Sequence, residues 1–527
     1  MKAIDITSIE EKVRLSESCV WRFQRDYFQE KGPKAFATDV PFYVTCNPFI
    51  ANVYAQIILG YIRDWRVLHP ETASEPFYIL ELGAGSGRFS FYAVKRLCQL
   101  ISEMGLKGIQ FKYVMSDLSR SDIEFWLFHP ALEKYVREGV LDFVVLDIEA
   151  DEEIHLTRDG DKKSSVKLVN PPVIIANYLL DSIPQDYFYV DNQGLHETLI
   201  SVSTDKENVA PRSFRDFEKI NMQYTNRRID DHYYGDEDFD SILRLYKNEL
   251  DRKTIAFPIV AFKFFKKIMA MSNGKFLLIA ADKSYCSMED LKTSNFPQLI
   301  FHGSFSMMVN MHAIGAFFER FNGGYFFPTS RKGIKAALCY AGFKSDNMPN
   351  FNYAVKEGLE KFTPADYFVT QRQVADGHEK MTYESILSAL ALSRWCPHLF
   401  KSLNRYLCEN VEKADASSLG YFKNRIEEIA DNFYFMPNTR DTFFDVAIFL
   451  HTVKEWSRAI QYYQKSQHFF GEQYSSSYNL ALCYFECGNL YEAMCHFRKA
   501  TTLKSDSKEA REWLEYVEKL RAEQMVN

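Results

Sequence analysis

Through residue 375 the chain alternates short apolar runs with longer segments whose apolar residues recur every three or four positions. The runs Phe77 to Leu80, Gln110 to Met115, Leu141 to Leu146, Val173 to Ala176 and Gly274 to Asp282 are brief and rich in β-branched or aromatic residues. They predict strands buried on both faces, as a parallel sheet requires. Helical spacing predicts a helix from about Phe49 to Trp65 and another over Phe89 to Leu100. Residues 1 to about 40 also read as helical, with Trp21, Phe23, Tyr27 and Phe28 on one aromatic face. Strands alternating with helices give an α/β fold, a Rossmann-like sheet with helices on both faces. From Asp376 onward only the helical spacing continues, so the chain ends in an all-α unit. The expected divisions are a helical cap over 1–70, an α/β domain over 71–375 and a helical domain over 376–527.

Two stretches stand apart from this alternation. Between the fourth and fifth strands lies a long insertion, about residues 191 to 258, in which Arg227 to Asp240 interleaves acids with aromatics. A solvated surface loop is the preferred reading, with a grip on a cationic peptide as the alternative; the carboxylate spacing does not fit a calcium loop. In the helical tail the sequence matches itself at an offset of 34 residues: Val446-Ala447 with Leu480-Ala481, Leu450 with Tyr484, Ala459 with Ala493, Tyr463 with Phe497. The period and its small and aromatic positions resemble tetratricopeptide (TPR) repeats. The polar Ser507 to Gln524 helix reads as a capping helix, and residues 380 to 440 leave room for earlier helical hairpins.

The first strand runs into Glu81-Leu82-Gly83-Ala84-Gly85-Ser86-Gly87 and then a helix. A backbone that reverses and lets a ligand approach needs residues without a Cβ, which Gly83, Gly85 and Gly87 supply. Dinucleotide sites space their glycines G-x-G-x-x-G and set a pyrophosphate on the helix N-terminus. Here the third glycine comes one residue early and Glu81 precedes the turn. An acid is a poor neighbour for pyrophosphate and a favourable one for S-adenosylmethionine, which carries a sulfonium and an ammonium. The pattern resembles motif I of class I methyltransferases.

The second strand leads to Asp117, placed for ribose hydroxyls, and the third to Asp147, placed for an adenine amino group. The fourth is followed by Asn177-Tyr178-Leu179-Leu180-Asp181-Ser182-Ile183-Pro184, with Tyr187 and Phe188 beyond. That segment resembles the A-N-E-x-x-D-A-x-P-x-x-x-F signature of the MidA-like methyltransferases, the type of the mitochondrial complex I assembly methyltransferase. Phe42-Tyr43-Val44-Thr45 resembles the family's F-Y-T-S-P segment, Gly274 to Asp282 its fifth strand, and His302 to Phe318 a degraded form of its D-x-T-x-H-V-D-F segment. The resemblance spans about residues 38 to 370. It implies S-adenosylmethionine bound by Glu81, Gly83, Gly85, Gly87, Asp117, Asp147 and Asn177. It also implies catalytic roles for Asn177 and Asp181, and methyl transfer to a protein, with arginine the precedent. Tyr178 stands where the family has an acid, which weakens the arginine assignment, since a guanidinium needs carboxylates. Asn170-Pro171-Pro172 precedes its strand and reads as a turn.

Composition narrows the classes further. The chain has 527 residues, a net charge of −7 and no sustained basic block, which argues against nucleic acid and lipid partners. No apolar run is long enough to span a bilayer, and Met1 to Arg14 lacks a signal-like stretch. The ten cysteines are scattered and none forms a C-x-x-C pair, so no metal site is expected and a reducing, cytoplasmic compartment fits. The expected function is an S-adenosylmethionine-dependent methyltransferase whose TPR-like arm recruits a protein. A small-molecule methyltransferase and a cofactor-binding assembly scaffold without turnover are the alternatives; oligomeric state is left open.

Overall fold

The computed structural model describes residues 7–35, 44–106, 108–151, 154–156, 168–204, 220–302, 304–328, 333–437 and 439–526. The chain divides into two compact units, Met1–Asp366 and Tyr367–Asn527; the sequence pattern had placed this division nine residues later, at 375/376.

The first unit is built on a central sheet whose seven main strands are β1 (Phe77–Leu82), β2 (Phe111–Asp117), β3 (Leu141–Val145), β4 (Val173–Asn177), β5 (Phe276–Tyr285), β6 (Gly324–Phe326) and β7 (Ile334–Ala341). Their spatial order is 3-2-1-4-5-7-6. Strands β1 to β5 run parallel, while β7 lies antiparallel between β5 and β6. An all-parallel dinucleotide-binding sheet would run 3-2-1-4-5-6, so the reversed β7 sets this one apart. The order changes direction between β1 and β4, and an open α/β sheet places its ligand crevice at the carboxyl ends of the strands flanking such a point.

Both faces of the sheet are covered. Leu80, Val114, Val144, Ile174 and Leu278, spaced by two along their strands, share one core with the helices Glu237–Glu249, Ile259–Met271 and Met311–Arg320. Phe262 and Phe317 stack within it at 4.8 Å between ring centroids. On the opposite face Tyr61, from the helix Pro48–Leu68, meets Phe77 of β1 edge-on. That helix starts where Asn47 accepts from the Ile50 N–H at 3.0 Å and Pro48 needs no donor. Its Asp64 in turn accepts from Asn350 Nδ2 at 2.5 Å and from the Phe351 N–H at 2.8 Å, fastening it to the helix Pro349–Val355.

Two expectations are overturned here. The N-terminal region is not wholly helical: Thr7–Arg14 is a strand, followed by the helix Cys19–Lys31. It is held there because Gly194–Thr204 offers it an open edge, a partner that lies nearly 190 residues away and leaves no local signal. The insertion is likewise no solvated loop. Asp186–Asp191, Gly194–Thr204, Ile220–Arg228 and Lys253–Phe257 join the N-terminal strand in a second, antiparallel sheet. Within the interleaved stretch Phe239 and Asp240 are buried, and Tyr234 donates to the buried Asp186 at 2.6 Å. Of the acids there Asp240 alone is buried, accepting from the Tyr234 N–H at 2.9 Å, while Asp231, Asp236 and Asp238 pair with lysines nearer the surface. Tyr187 and Phe188 belong to this sheet and are fully buried, so their role is packing.

In the second unit the helices Tyr383–Leu392, Pro397–Glu409 and Ala416–Asp431 precede Thr442–Thr452, Trp456–Phe470, Tyr474–Glu486, Leu490–Leu503 and Lys508–Val526. The 34-residue offset carries into the coordinates: two helices end at Thr452 and Glu486, and the next two begin at Trp456 and Leu490. Ala447 and Ala481, Ala459 and Ala493, Tyr463 and Phe497 are all fully buried. Small residues at those matched positions let paired helices approach.

Replacing Asp64 by alanine strands the buried Phe351 N–H and the Asn350 amide. The expected cost is about 1–3 kcal/mol, read as a lower urea midpoint for the first unit. An unchanged midpoint would mean that the helix is held by its apolar face alone.

Candidate functional site

The carboxyl ends of β1, β2, β4 and β5, together with the helix Cys19–Lys31, enclose a cavity of about 410 Å³. Every residue lining it belongs to the first unit. Glu81, Gly83, Asp117, Asp147, Asn177, Tyr178 and Asp181 are among them, whereas Gly85 and Gly87 of the same glycine turn are not.

The turn after β1 is shaped by three glycines at φ +61° (Gly83), +52° (Gly85) and +73° (Gly87), all in the left-handed region. A Cβ on Gly83 would also sit 3.1 Å from Leu179 Cδ1, in the segment following β4. Four amides of this turn have acceptors within the protein. Ala84 donates to Ser116 O and Gly87 to Ala84 O, both at 2.9 Å. Gly85 donates to Asp117 Oδ2 at 2.9 Å and Arg88 to Ser86 Oγ at 3.4 Å. A pyrophosphate would need those donors, and protein acceptors hold them.

Glu81 is 3% exposed, and its Oε2 accepts from Ser90 Oγ at 2.5 Å and from the Tyr113 hydroxyl at 2.6 Å. Burial pushes its carboxyl up to about 7, although the two hydrogen bonds pull it down. Asp117 keeps the position expected of it at the end of β2. Besides Gly85, it accepts from Leu118 N at 2.7 Å, and burial raises its carboxyl against those bonds.

Asp147 differs from its expected use. Arg25 of the N-terminal helix bonds both of its carboxylate oxygens and reaches Glu149 at 3.0 Å. The group assigned to an adenine amino group is therefore engaged by a guanidinium. Arg25 carried no signal in the sequence, because an isolated arginine on an amphipathic helix looks like any solvated one.

At the end of β4, Asn177 accepts from the Tyr54 hydroxyl at 2.9 Å through Oδ1, while its buried Nδ2 has no partner. That oxygen has a second lone pair, so Asn177 keeps one acceptor position and two N–H donors. Tyr178 sits at φ +52°, uncommon for a bulky side chain and characteristic of functional sites. Its N–H donates to Ala281 O at 3.0 Å. Asp181 is 2% exposed, accepts from Ser182 Oγ at 2.8 Å and is pushed up by burial to about 6, with Lys283 opposing that shift. Phe42 and Tyr43 lie outside the described residues, whereas Val44 and Thr45 line the cavity.

Among the charged groups of this lining carboxyls prevail: Glu81, Asp117, Asp147, Glu149 and Asp181 against Arg25 and Lys283, and Arg25 is already paired with two of them. The cavity suits a cationic ligand with hydroxyls, and disfavours an anionic one.

The raised Glu81 carboxyl makes a stability prediction. Between its ordinary value of 4.5 and about 7 the folded state keeps a proton that the unfolded state has lost. Stability contributed by this group therefore declines as pH rises through that window, by up to about 3 kcal/mol. Glu81→Gln, which cannot ionise, should lose less stability than wild type between pH 5 and pH 8 in urea unfolding. Parallel profiles for the two proteins would refute the shift.

No family model matches the chain, and no curated protein matches it. Among solved structures it is similar to a candidate methyl transferase from Burkholderia thailandensis bound to S-adenosyl-homocysteine, at 14% identity over 60% of this chain and 74% of that one, with a TM-score of 0.37. An uncharacterised protein of the same superfamily and organism follows at 13% identity over 58% and 79%, with a TM-score of 0.33. An O-methyltransferase family protein from that organism gives 8% identity over 61% and 69%, with a TM-score of 0.22. At these TM-scores the likeness decides nothing about what the cavity binds.

Proposed function

We propose that the first unit is a class I S-adenosylmethionine-dependent methyltransferase of the MidA-like type. The observation that carries this reading is the cavity at the β1/β4 reversal, whose charged lining is mainly acidic and whose glycine turn gives four of its amides to acceptors within the protein. Gly83, Gly85 and Gly87 let the cofactor approach the backbone, and Glu81 offsets its positive charge. Asp117 accepts from the ribose hydroxyls, and Asn177 donates through Nδ2. Asp147 serves as the anchor for Arg25, which closes the N-terminal helix over the cavity. When bound, the cofactor supplies an electrophilic methyl group, so the protein has to align a nucleophile and exclude water. Asp181 is placed to take a proton from that nucleophile. Its depth in the cavity, and a value near 6, suit a base at neutral pH.

The methyl acceptor is proposed to be a protein, recruited by the second unit acting as a TPR-like arm in the cytoplasm. The matched small and aromatic positions of its helices support the repeat reading. Arginine is the acceptor suggested by the family resemblance, and Tyr178 in place of an acid counts against it. A small-molecule acceptor is the alternative reading for the same cavity, and an assembly scaffold that binds cofactor without turnover is the non-enzymatic one.

Calorimetry should find S-adenosylmethionine binding and no binding of NAD; the reverse would overturn the assignment. Gly85→Val forces a branched residue to φ +52° and should abolish binding in a folded protein. Asp117→Ala should weaken it about tenfold or more, the worth of a charge-assisted hydrogen bond.

A cationic ligand stabilises ionised Glu81, so binding should release a proton near neutral pH and tighten as pH rises from 6 to 8. S-adenosyl-homocysteine lacks the sulfonium and should show a smaller dependence in the same titration. Identical pH profiles for the two ligands would remove Glu81 from the site.

Residues 1–366 alone should bind the cofactor as the full chain does, yet methylate proteins of a cell lysate far more weakly. Equal labelling by both forms would leave the helical unit without a recruiting role, and no labelling by the full chain on any lysate protein favours the scaffold.

A further inference from the structure

A second buried acid stands behind Asp181 and has no role in the proposed transfer. Asp282, on β5, is 0% exposed and does not itself line the cavity. Its Oδ2 accepts from the Leu180 N–H at 3.3 Å, so it grips the turn that carries Asp181. Its Oδ1 is buried and has no hydrogen-bond partner. Two carboxyls thus sit next to each other at the ends of β4 and β5, shielded from water, and only one of them reaches the cavity.

The surrounding charges do not balance two anions. Lys283, half-buried and lining the cavity, is the cation that acts on both acids. Lys335 lies opposite Asp282 across the β5–β7 ladder, but its ammonium is bonded to Asp290 at 3.1 Å. From the helix Pro48–Leu68 comes the Tyr54 hydroxyl, itself flanked by Asp282 and Glu81. An ionised oxygen enclosed without a donor costs far more than a neutral one. Asp181 has the Ser182 hydroxyl and access to the cavity; Asp282 has only the backbone amides of Leu180 and Asp181 acting on it, and an Oδ1 without a hydrogen-bond partner. The pair therefore divides unequally, as adjacent carboxyls do when their environments differ.

We propose that Asp282 is the positioning residue for Asp181: a neutral carboxylic acid that holds the 180–181 turn, so that Asp181 alone is the ionised carboxylate facing the ligand. Burial and the neighbouring Asp181 both raise the Asp282 carboxyl, in keeping with this division. What the pair does in catalysis rests on the methyl transfer proposed above; its protonation and its hold on the turn do not.

The test uses the full chain and needs no substrate. Beside the bands of protonated Asp122 and partly protonated Glu81, infrared difference spectra at pH 7.5 should show a further protonated carboxyl band in wild type that disappears in Asp282→Asn and persists in Asp181→Asn. Loss of the band in Asp181→Asn, or its persistence in Asp282→Asn, overturns the proposal. Asn keeps an acceptor for the Leu180 N–H and mimics a neutral acid, so Asp282→Asn should melt within a few degrees of wild type, whereas Asp282→Ala should melt clearly lower. A destabilised Asp282→Asn that matches Asp282→Ala would mean that the charge on Asp282 is what the turn requires. Because the band and the melting point are read without ligand, a failure of S-adenosylmethionine to bind would refute the functional reading and leave this one to be decided separately.

Discussion

The carboxyl ends of β1 and β4 approach so closely that one of them can carry no side chain. Gly83 faces Leu179 across the gap, and a Cβ there would lie 3.1 Å from the leucine methyl. That approach dictates the left-handed turn, and the turn in turn sends the helix Arg88–Glu103 back along the sheet. It also brings Asp117, from the neighbouring strand, within reach of the Gly85 N–H. The trade is between chain entropy and access: three glycines cost more to order than other residues would, and in return the backbone itself forms one wall of the cavity.

The second consequence is electrostatic. Strand ends that converge on a dry cavity bring their terminal acids into one another's company. Glu81, Asp181 and Asp282 are buried, and burial opposes charge on each of them. Each settles differently according to its donors. Glu81 has two hydroxyls, Asp181 has a serine and a neighbouring lysine, and Asp282 has only backbone amides, of Leu180 and Asp181. One functional group, the carboxyl, thus meets three environments, and the donors in each decide how strongly they oppose the effect of burial.

Around this core the additions serve to enclose it. The second sheet takes up the N-terminal strand and holds the helix Cys19–Lys31, whose Gln24 side chain brackets the backbone of Phe305 with bonds of 2.7 and 3.1 Å. Arg25 on that helix then reaches Asp147 and Glu149. The helical unit, described by itself, is a stack of amphipathic helices with its own core. Among the described residues no helix is long and apolar enough to cross a membrane.

Local pattern determined the parallel strands and the glycine turn. Val173 to Ala176 or Phe77 to Leu80 must be buried on both faces wherever they lie, and the run from Glu81 to Gly87 admits few backbones. The 34-residue offset was equally legible, because each helical pair repeats its small and aromatic positions in place. Tertiary structure decided whatever depends on a distant partner. Thr7–Arg14 became a strand only because Gly194–Thr204 had an unpaired edge, and Asp240, alone among the acids of 230–240, became a buried acceptor, for the Tyr234 N–H. It likewise gave Asp147 to Arg25, and it brought the Tyr54 hydroxyl against the Asn177 oxygen. Periodicity along a chain reports which faces are buried, but a hydrogen bond between residues 123 positions apart leaves no trace in it.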